Sequence, residues 1–350
     1  MSSFHTLHIQ TITRITAKSV AITFALPGAL KEHFTFAPGQ YITLKTTIDG
    51  TEVRRAYSIC STPQEGLTVA VKEVENGTFS TYANRELKEG DTLEVQEPEG
   101  RFKIDNSAFA KAKNYAAFAA GSGITPILSM IKTTLTQSPD STFVLVFGNR
   151  TPEEAMFIDE LQALRSQYTD RFSIESIYSQ SRVDGAHFGR IMKSTVNFVV
   201  KNKYAENNFD DYFLCGPEAM INEVTKVLKE NEVADTAIHF ELFTASTETT
   251  EIEAPLDGKT AIKVLCDDEE FEFTMDQETN ILDASLDEDI DAPHSCQGGV
   301  CSSCIARVTE GTAVMSQNQI LTDAEVAEGL ILTCQAHPTS ARIVVDYDDI

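Results

Sequence analysis

The chain has 350 residues, 42% of them hydrophobic and 23% charged, with a formal net charge of −25. That length accommodates two or three domains with real cores, and so acidic a balance argues against nucleic acid as a partner. No apolar run approaches the roughly 18 residues of a membrane span, and Met1-Ser-Ser-Phe-His-Thr-Leu-His lacks a basic stretch followed by an apolar one, so the expectation is a cytoplasmic protein.

Residues 1–106 read as short strands broken by turns, at 20–25, 41–44, 55–59, 67–71 and 92–96, the pattern of an antiparallel β-barrel. Two runs here carry chemistry. In Arg54-Arg55-Ala56-Tyr57-Ser58, Arg55 and Tyr57 fall on one face of a strand. A guanidinium there can pair with a pyrophosphate, a tyrosine can stack on a flat ring, and Ser58 can reach a ring nitrogen. In Val71-Lys72-Glu73-Val74-Glu75-Asn76-Gly77-Thr78-Phe79-Ser80 a strand ends in a glycine turn that opens a helix, which suits a phosphate; Lys72, Gly77, Thr78, Phe79 and Ser80 are its candidates. Taken singly, each run is also an ordinary strand edge or turn. The turn 97–102 is a further candidate for the same site.

Residues 107–245 alternate. Buried strands are expected at 115–120, 142–147, 172–178, 211–215 and 238–243, with helices near 126–136, 152–168, 189–202 and 217–231. Pro126, Pro152 and Pro217 fall where helices begin. The alternation predicts an α/β domain with a parallel sheet and ligands at the carboxyl ends of its strands. Gly121-Ser122-Gly123-Ile124-Thr125-Pro126 follows the first strand, and its glycines allow backbone to approach a pyrophosphate. Pro126 replaces the third glycine of the Rossmann fingerprint. Cys215-Gly216-Pro217 follows the fourth strand, where a small thiol can touch a nicotinamide; alone, a buried cysteine is core. Arg150, Ser181 and Arg182 follow the second and third strands and could hold a 2′-phosphate, favouring NADPH, while Asp184 leaves NADH open.

Residues 246–256 are Thr/Glu-rich and read as a linker. Residues 257–350 are expected to hold strands at 261–265 and 271–275 and a helix near 280–286. From residue 246 onward there are 23 Asp/Glu against 4 Lys/Arg, a net of −19 of the chain's −25 that leaves −6 for residues 1–245. This is either a self-repelling surface or one steered toward a basic partner. Cys296, Cys301, Cys304 and Cys334 show the C-x4-C-x2-C…C spacing of a plant-type [2Fe–2S] site. Gly298 and Gly299 let backbone amides approach the cluster. A structural zinc site with four cysteines is the alternative, although only one C-x2-C pair is present. His294 and His337 read as loop residues. Cys60, Cys215 and Cys266 do not suggest a disulfide framework.

In order, R-x-Y-S, G-x-x-S, GxGxTP, Cys-Gly-Pro and the four cysteines resemble the ferredoxin–NADP reductase family in its form with a C-terminal plant-type ferredoxin, the type that serves phenylacetyl-CoA epoxidase and hybrid-cluster proteins. The resemblance covers nearly the whole chain. It implies three domains: an FAD-binding antiparallel β-barrel (1–106), an NAD(P)-binding α/β domain (107–245) and, after the linker, a β-grasp-like ferredoxin domain (257–350). It implies Arg55 at the FAD pyrophosphate, Tyr57 stacked on the isoalloxazine, Ser58 near its reactive nitrogen, residues 77–80 at phosphate, and Ser58 and Cys215 at hydride transfer. The C-terminal Glu-Val-Tyr of plant reductases is missing as a chain end; Glu241 and Phe243 could supply its carboxylate and its ring. The implied activity carries electrons from NADPH to FAD to [2Fe–2S] and then to an external acceptor: a diiron oxygenase such as phenylacetyl-CoA epoxidase, a Rieske oxygenase, a desaturase or a hybrid-cluster protein. A redox-sensing regulatory protein is the reading from another class.

Overall fold

The computed structural model describes residues 3–243 and 258–350, which fall into two compact units, one of Phe4–Glu241 and one that takes in residues 258–350 with Ser3, Leu242 and Phe243. The linker expected over 246–256 lies outside the described residues. Among those described, no helix is long and apolar enough to cross a membrane.

The first unit opens with β1 (Phe4–Thr16), β2 (Ser19–Ala25), β3 (Tyr41–Ile48), β4 (Thr51–Ser58), β5 (Leu67–Lys72), helix α1 (Thr78–Arg85) and β6 (Thr92–Gln96). The strands pair in the order β4-β3-β6-β1-β2-β5, antiparallel throughout. A bridge between Ile59 and Val69, with the Cys60 amide donating to Thr68 O at 2.9 Å, joins the two outer strands and curls the sheet into a barrel. Alternating residues turn inward, as the two-residue period of a strand requires: Leu7 and Ile9, Val20, Ile22 and Phe24, Ile42 and Leu44, Val69 and Val71. Phe79 of α1 plugs this core at 1% exposure. β1 goes beyond the strands expected from sequence.

Next come β7 (Asn114–Ala120), α2 (Ile124–Gln137), β8 (Thr142–Asn149), α3 (Ile158–Gln167), β9 (Phe172–Tyr178), β10 (His187–Phe188), α4 (Lys193–Asn197), β11 (Asp211–Cys215), α5 (Glu218–Glu230) and β12 (Ile238–Glu241). All six strands are parallel, in the order β10-β9-β8-β7-β11-β12. The order reverses between β7 and β11, so the crevice outside their carboxyl ends is where an open α/β sheet binds its ligand. Two helices differ from expectation. Residues 152–168 do not form one helix: Ala155 and Met156 are driven into the core, Phe157 takes φ +59°, and α3 starts only at Ile158. Near 189–202, Gly189 at φ +127° and an extended Met192 delay α4 to Lys193, and Phe198–Lys203 continues as a π-helix. Barrel and sheet share a core in which Cys60, Ala70, Phe102 and Ile104 pack with Ile124, Ile127 and Met130 of α2.

The second unit contains β13 (Lys259–Cys266), β14 (Glu269–Asp276), α6 (Ile281–Asp287), β15 (Ile305–Glu310), β16 (Ala313–Met315), α7 (Asp323–Ala327), β17 (Leu330–Leu332), β18 (Ala336–Pro338) and β19 (Arg342–Asp346). Its main sheet runs β14-β13-β19-β15-β17, with β13 and β19 parallel and the other pairs antiparallel. This is the β-grasp-like arrangement expected. Asn280 caps α6 by accepting the Asp283 amide at 2.8 Å. The cysteine loop runs from there to β15, over a core of Ile262, Val264, Leu282, Leu332 and Val345. His337 lies in β18 rather than in a loop.

Candidate active site

The glycine loop after β7 and the Cys-Gly-Pro after β11 meet at the switch point. A side chain on Gly123 would put its Cβ 2.1 Å from Cys215 O, and one on Gly216 would meet Met220 Cε at 2.8 Å and Ala120 Cβ at 3.1 Å. Glycine is therefore required for α2 to start against the end of β11. Gly121 takes φ +57°, a left-handed conformation. Thr125 Oγ1 donates to Ser122 O at 3.0 Å and locks the first turn of α2. Thr125 and Pro126 are buried, so they shape the loop rather than line it.

Cys215 is fully buried, and Glu241 lies opposite it in the register of β11 and β12. Ser58, last residue of barrel strand β4, donates its hydroxyl to Glu241 Oε2 at 3.2 Å across 183 residues of sequence. Burial pushes the Glu241 carboxyl up to about 8 against the pull of the Ser58 hydrogen bond. Burial, with the Glu241 charge adding to it, raises the Cys215 thiol well above its ordinary range. At neutral pH the cluster is therefore a neutral thiol, a largely protonated carboxyl and a hydroxyl. It can exchange a proton and carries little charge of its own.

On the barrel side, Tyr57 is half-buried, its ring centroid 5.4 Å from that of Phe79. Burial raises its hydroxyl's pKa, and the Arg55 charge opposes that. Arg55 is exposed, with Nη1 donating to Arg54 O at 2.7 Å. Gly77 is forced by its turn, since a Cβ would meet Ser80 Oγ at 2.3 Å and Val74 Cγ2 at 2.5 Å. Ser80 Oγ is spent on that turn, donating to Gly77 O and accepting from the Val74 amide. Phe79 is core. What Phe79 and Ser80 can offer a phosphate is their backbone amides at the start of α1, beside Thr78. Lys72 reaches from the barrel to the glycine loop: its Nζ would lie 3.9 Å from a Cβ on Gly121. Partial burial lowers its pKa, with Glu154 opposing and Arg150 and Lys18 adding to the effect. A half-desolvated ammonium beside left-handed Gly121 fits a bound phosphate.

Arg150 and the 179–182 loop are brought together at the neighbouring strand ends. The Ser179 amide donates to Asn149 O at 3.0 Å and the Gln180 amide to Arg150 O at 2.9 Å. Arg182 is exposed and lies over the Phe188 ring, 4.4 Å from its centroid. Phe188 is itself 54% exposed. Phe243 is exposed and falls with the C-terminal unit. Glu97, in the turn considered for the flavin, instead accepts from His5 and His33.

In the second unit the four cysteines converge as two pairs. Cys304 Sγ donates to Cys334 Sγ at 3.3 Å, and Cys301 donates to Cys296. Each donation holds its acceptor toward thiolate: Cys296 is lowered to about 6, chiefly by the Cys301 bond, and Cys334 is lowered by the Cys304 bond. Cys301 and Cys304 are raised, first by those same bonds and then by burial. The Gly298 amide points at Cys296 Sγ, 3.4 Å away. Gly299 takes φ +71° and Gln297 φ +51°, the tight path that wraps the loop around the sulfurs. Two thiol pairs with amides aimed at sulfur fit the four-thiolate donor set of a two-iron cluster. Sequence reasoning missed Gln335, whose Nε2 donates to Gln297 O at 3.1 Å and points at Cys334 Sγ, 3.9 Å away. Only its place beside Cys334 signals it.

Three domain families match the chain: oxidoreductase FAD-binding domain over residues 6–104, oxidoreductase NAD-binding domain over 118–226, and 2Fe-2S iron-sulfur cluster binding domain over 264–339. One component of the 1,2-phenylacetyl-CoA epoxidase of Escherichia coli K12 is 39% identical over 99% of both chains. The chain belongs to the ferredoxin–NADP reductase family. The reductase is also 29% identical to the ferredoxin reductase component of 3-ketosteroid-9-alpha-monooxygenase from Rhodococcus rhodochrous, over 97% of this chain and 96% of that one. Among solved structures it resembles phthalate dioxygenase reductase, at 26% identity and TM-score 0.60, with 98% of each chain covered. FAD, a nicotinamide nucleotide and a [2Fe–2S] cluster are thus the groups its domains are built to hold, which sets aside the zinc alternative.

Proposed function

We propose that this reductase draws electrons from NADPH and delivers them singly, through its C-terminal domain, to an oxygenase, with phenylacetyl-CoA epoxidase the first acceptor to test. When bound, the nicotinamide, flavin and iron–sulfur groups together supply the conversion of a two-electron donor into a one-electron source. The chain's own residues bind, orient and exchange protons. Lys72 and the amides opening α1 hold phosphate on the barrel side, Arg55 binds pyrophosphate, and Tyr57 stacks on the flat ring. Gly121, Gly123 and Gly216 admit the nucleotide, and Arg150, Ser181 and Arg182 bind its 2′-phosphate. Cys215 supplies a small neutral wall for the reacting ring. Ser58 and Glu241 hold one exchangeable proton at the hydroxyl–carboxyl contact. Cys296, Cys301, Cys304 and Cys334 ligate the cluster.

The observation that carries this reading is the Ser58–Glu241 contact, which joins the end of the barrel's β4 to the end of β12, beside Cys215 of the switch-point strand β11. The similarity to a component of an epoxidase supports the choice of acceptor. The test is reconstitution: purified holoprotein, NADPH and the oxygenase components of a phenylacetyl-CoA epoxidase, with product formation measured against NADH and against a Rieske oxygenase. No turnover with the epoxidase, or equal turnover with NADH, overturns the corresponding part of the proposal.

A further inference from the structure

Outside the redox constellations, one cluster of metal-ligating side chains stands out among the described residues: His5, His33 and Glu97. His5 sits on β1 and pairs in register with Val95 of β6, which brings it diagonally across from Glu97, the residue that follows β6. His33 comes from a third segment, the turn that precedes β3. Its neighbour Phe34 is 3% exposed and anchors that turn in the barrel core, with the His5 ring 5.6 Å from the Phe34 ring. Three separate pieces of backbone thus aim their donors at one point.

The donor atoms are already near coordination spacing. His5 Nε2 lies 3.1 Å from Glu97 Oε1, His33 Nδ1 lies 2.8 Å from the same oxygen, and all three donors lie within 4.8 Å of one another. A tetrahedral ion with bonds of about 2.0–2.1 Å separates its ligand atoms by roughly 3.3 Å. Both nitrogen–oxygen distances come within about half an ångström of that value. Both imidazoles converge on a single carboxylate oxygen, with their ring centroids 5.3 Å apart. Two imidazoles and a carboxylate select zinc, copper or nickel over magnesium or calcium.

We propose that His5, His33 and Glu97 form a site for a divalent transition ion of the zinc class at the rim of the barrel, with three protein ligands and a position left for water. The ion staples the start of β1 and the turn at residues 31–34 to the end of β6.

The test is calorimetric titration of Zn2+ into untagged full-length holoprotein with its cluster and flavin in place. The expected result is one Zn2+ per chain, with affinity reduced by at least about 10–100-fold, the loss seen when even an outer-shell partner is removed, in His33→Ala and again in Glu97→Gln. Bound flavin per chain reports that each variant is folded, and either folded variant suffices. As a measurement that needs no variant, Cu2+ bound to the oxidised protein should show magnetic coupling to two imidazole nitrogens. No zinc binding by the wild type, zinc binding unchanged in a folded variant, or copper without nitrogen coupling overturns the proposal.

Discussion

Glu241→Gln tests the electrostatics of the active site most directly. Glutamine keeps an oxygen to accept the Ser58 hydroxyl but cannot ionise. In the wild type the carboxyl is raised from an ordinary 4.5 to about 8, with burial as the cause and the Ser58 bond opposing it. The folded state therefore holds this proton over a pH range in which the unfolded chain has released it. Stability from this group is fully present below pH 4.5, is lost as pH rises, and levels off above the folded value. Integrated over those two values, the loss between pH 6 and pH 8 is about 2 kcal/mol, and little more is lost above pH 9. The assay is urea denaturation of holoprotein followed by flavin fluorescence, which reports the unit holding Ser58 and Glu241, at pH 6, 7, 8 and 9. Relative to wild type, the glutamine variant should gain about 2 kcal/mol between pH 6 and 8 and then hold a constant advantage. Wild-type and variant curves that run parallel across this range would refute the assignment of a protonated Glu241.

Gly123→Ala drives a Cβ to 2.1 Å from Cys215 O; the expected outcome is a loss of about 1–3 kcal/mol or more, with NADPH oxidation falling further than bound flavin, checked by denaturation and steady-state kinetics. Arg182→Ala should raise KM for NADPH by roughly 10–100-fold, the loss of one charge-assisted bond of about 1.5–3 kcal/mol, and leave KM for NADH nearly unchanged; equal effects on both nucleotides count against a 2′-phosphate contact. Cys301→Ser should abolish cytochrome c reduction and spare reduction of a small dye by NADPH, and equal loss of both would contradict the assigned electron order.

What can be read from the sequence divides by distance along the chain. Cys296, Cys301 and Cys304 lie within nine residues, and their chemistry is written in that spacing. The same holds for GxGxTP and Cys-Gly-Pro, each contained in one strand–helix turn. The alternation of strands and helices over 107–245 is equally plain, because its central strands carry apolar runs such as 115–120 and 143–147. The boundaries that differ fall where tertiary packing overrides local preference. At Ala155 and Met156 an acidic, helix-favouring stretch is interrupted because both side chains are needed in the core. At β10 a two-residue edge strand exists only because Tyr178 and Ile177 offer it a partner. Ser80 has the spacing of a phosphate ligand, but its hydroxyl closes its own turn. His5, His33 and Glu97 show no ligand spacing at all, and only barrel closure gathers them.

Glu241 is the sharpest instance of that division, and it also bears on how the site works. In sequence it is one acidic residue in a strand of mixed character, suggested for a role only because plant reductases end in a carboxylate. Its environment comes from three separate facts of topology. The β11–β12 pairing sets it opposite Cys215. Gly123 lets α2 close over that strand end. The barrel's β4 ends at Ser58, which supplies the hydroxyl. Burial at the barrel–sheet junction keeps the carboxyl protonated while the Ser58 bond opposes it, so the proton's affinity depends on the junction as well as on the residue itself. A neutral junction suits its task. On the function proposed above, a carboxyl that ionises near pH 8 can hold or release a proton at the Ser58 contact without placing a permanent anion beside Cys215.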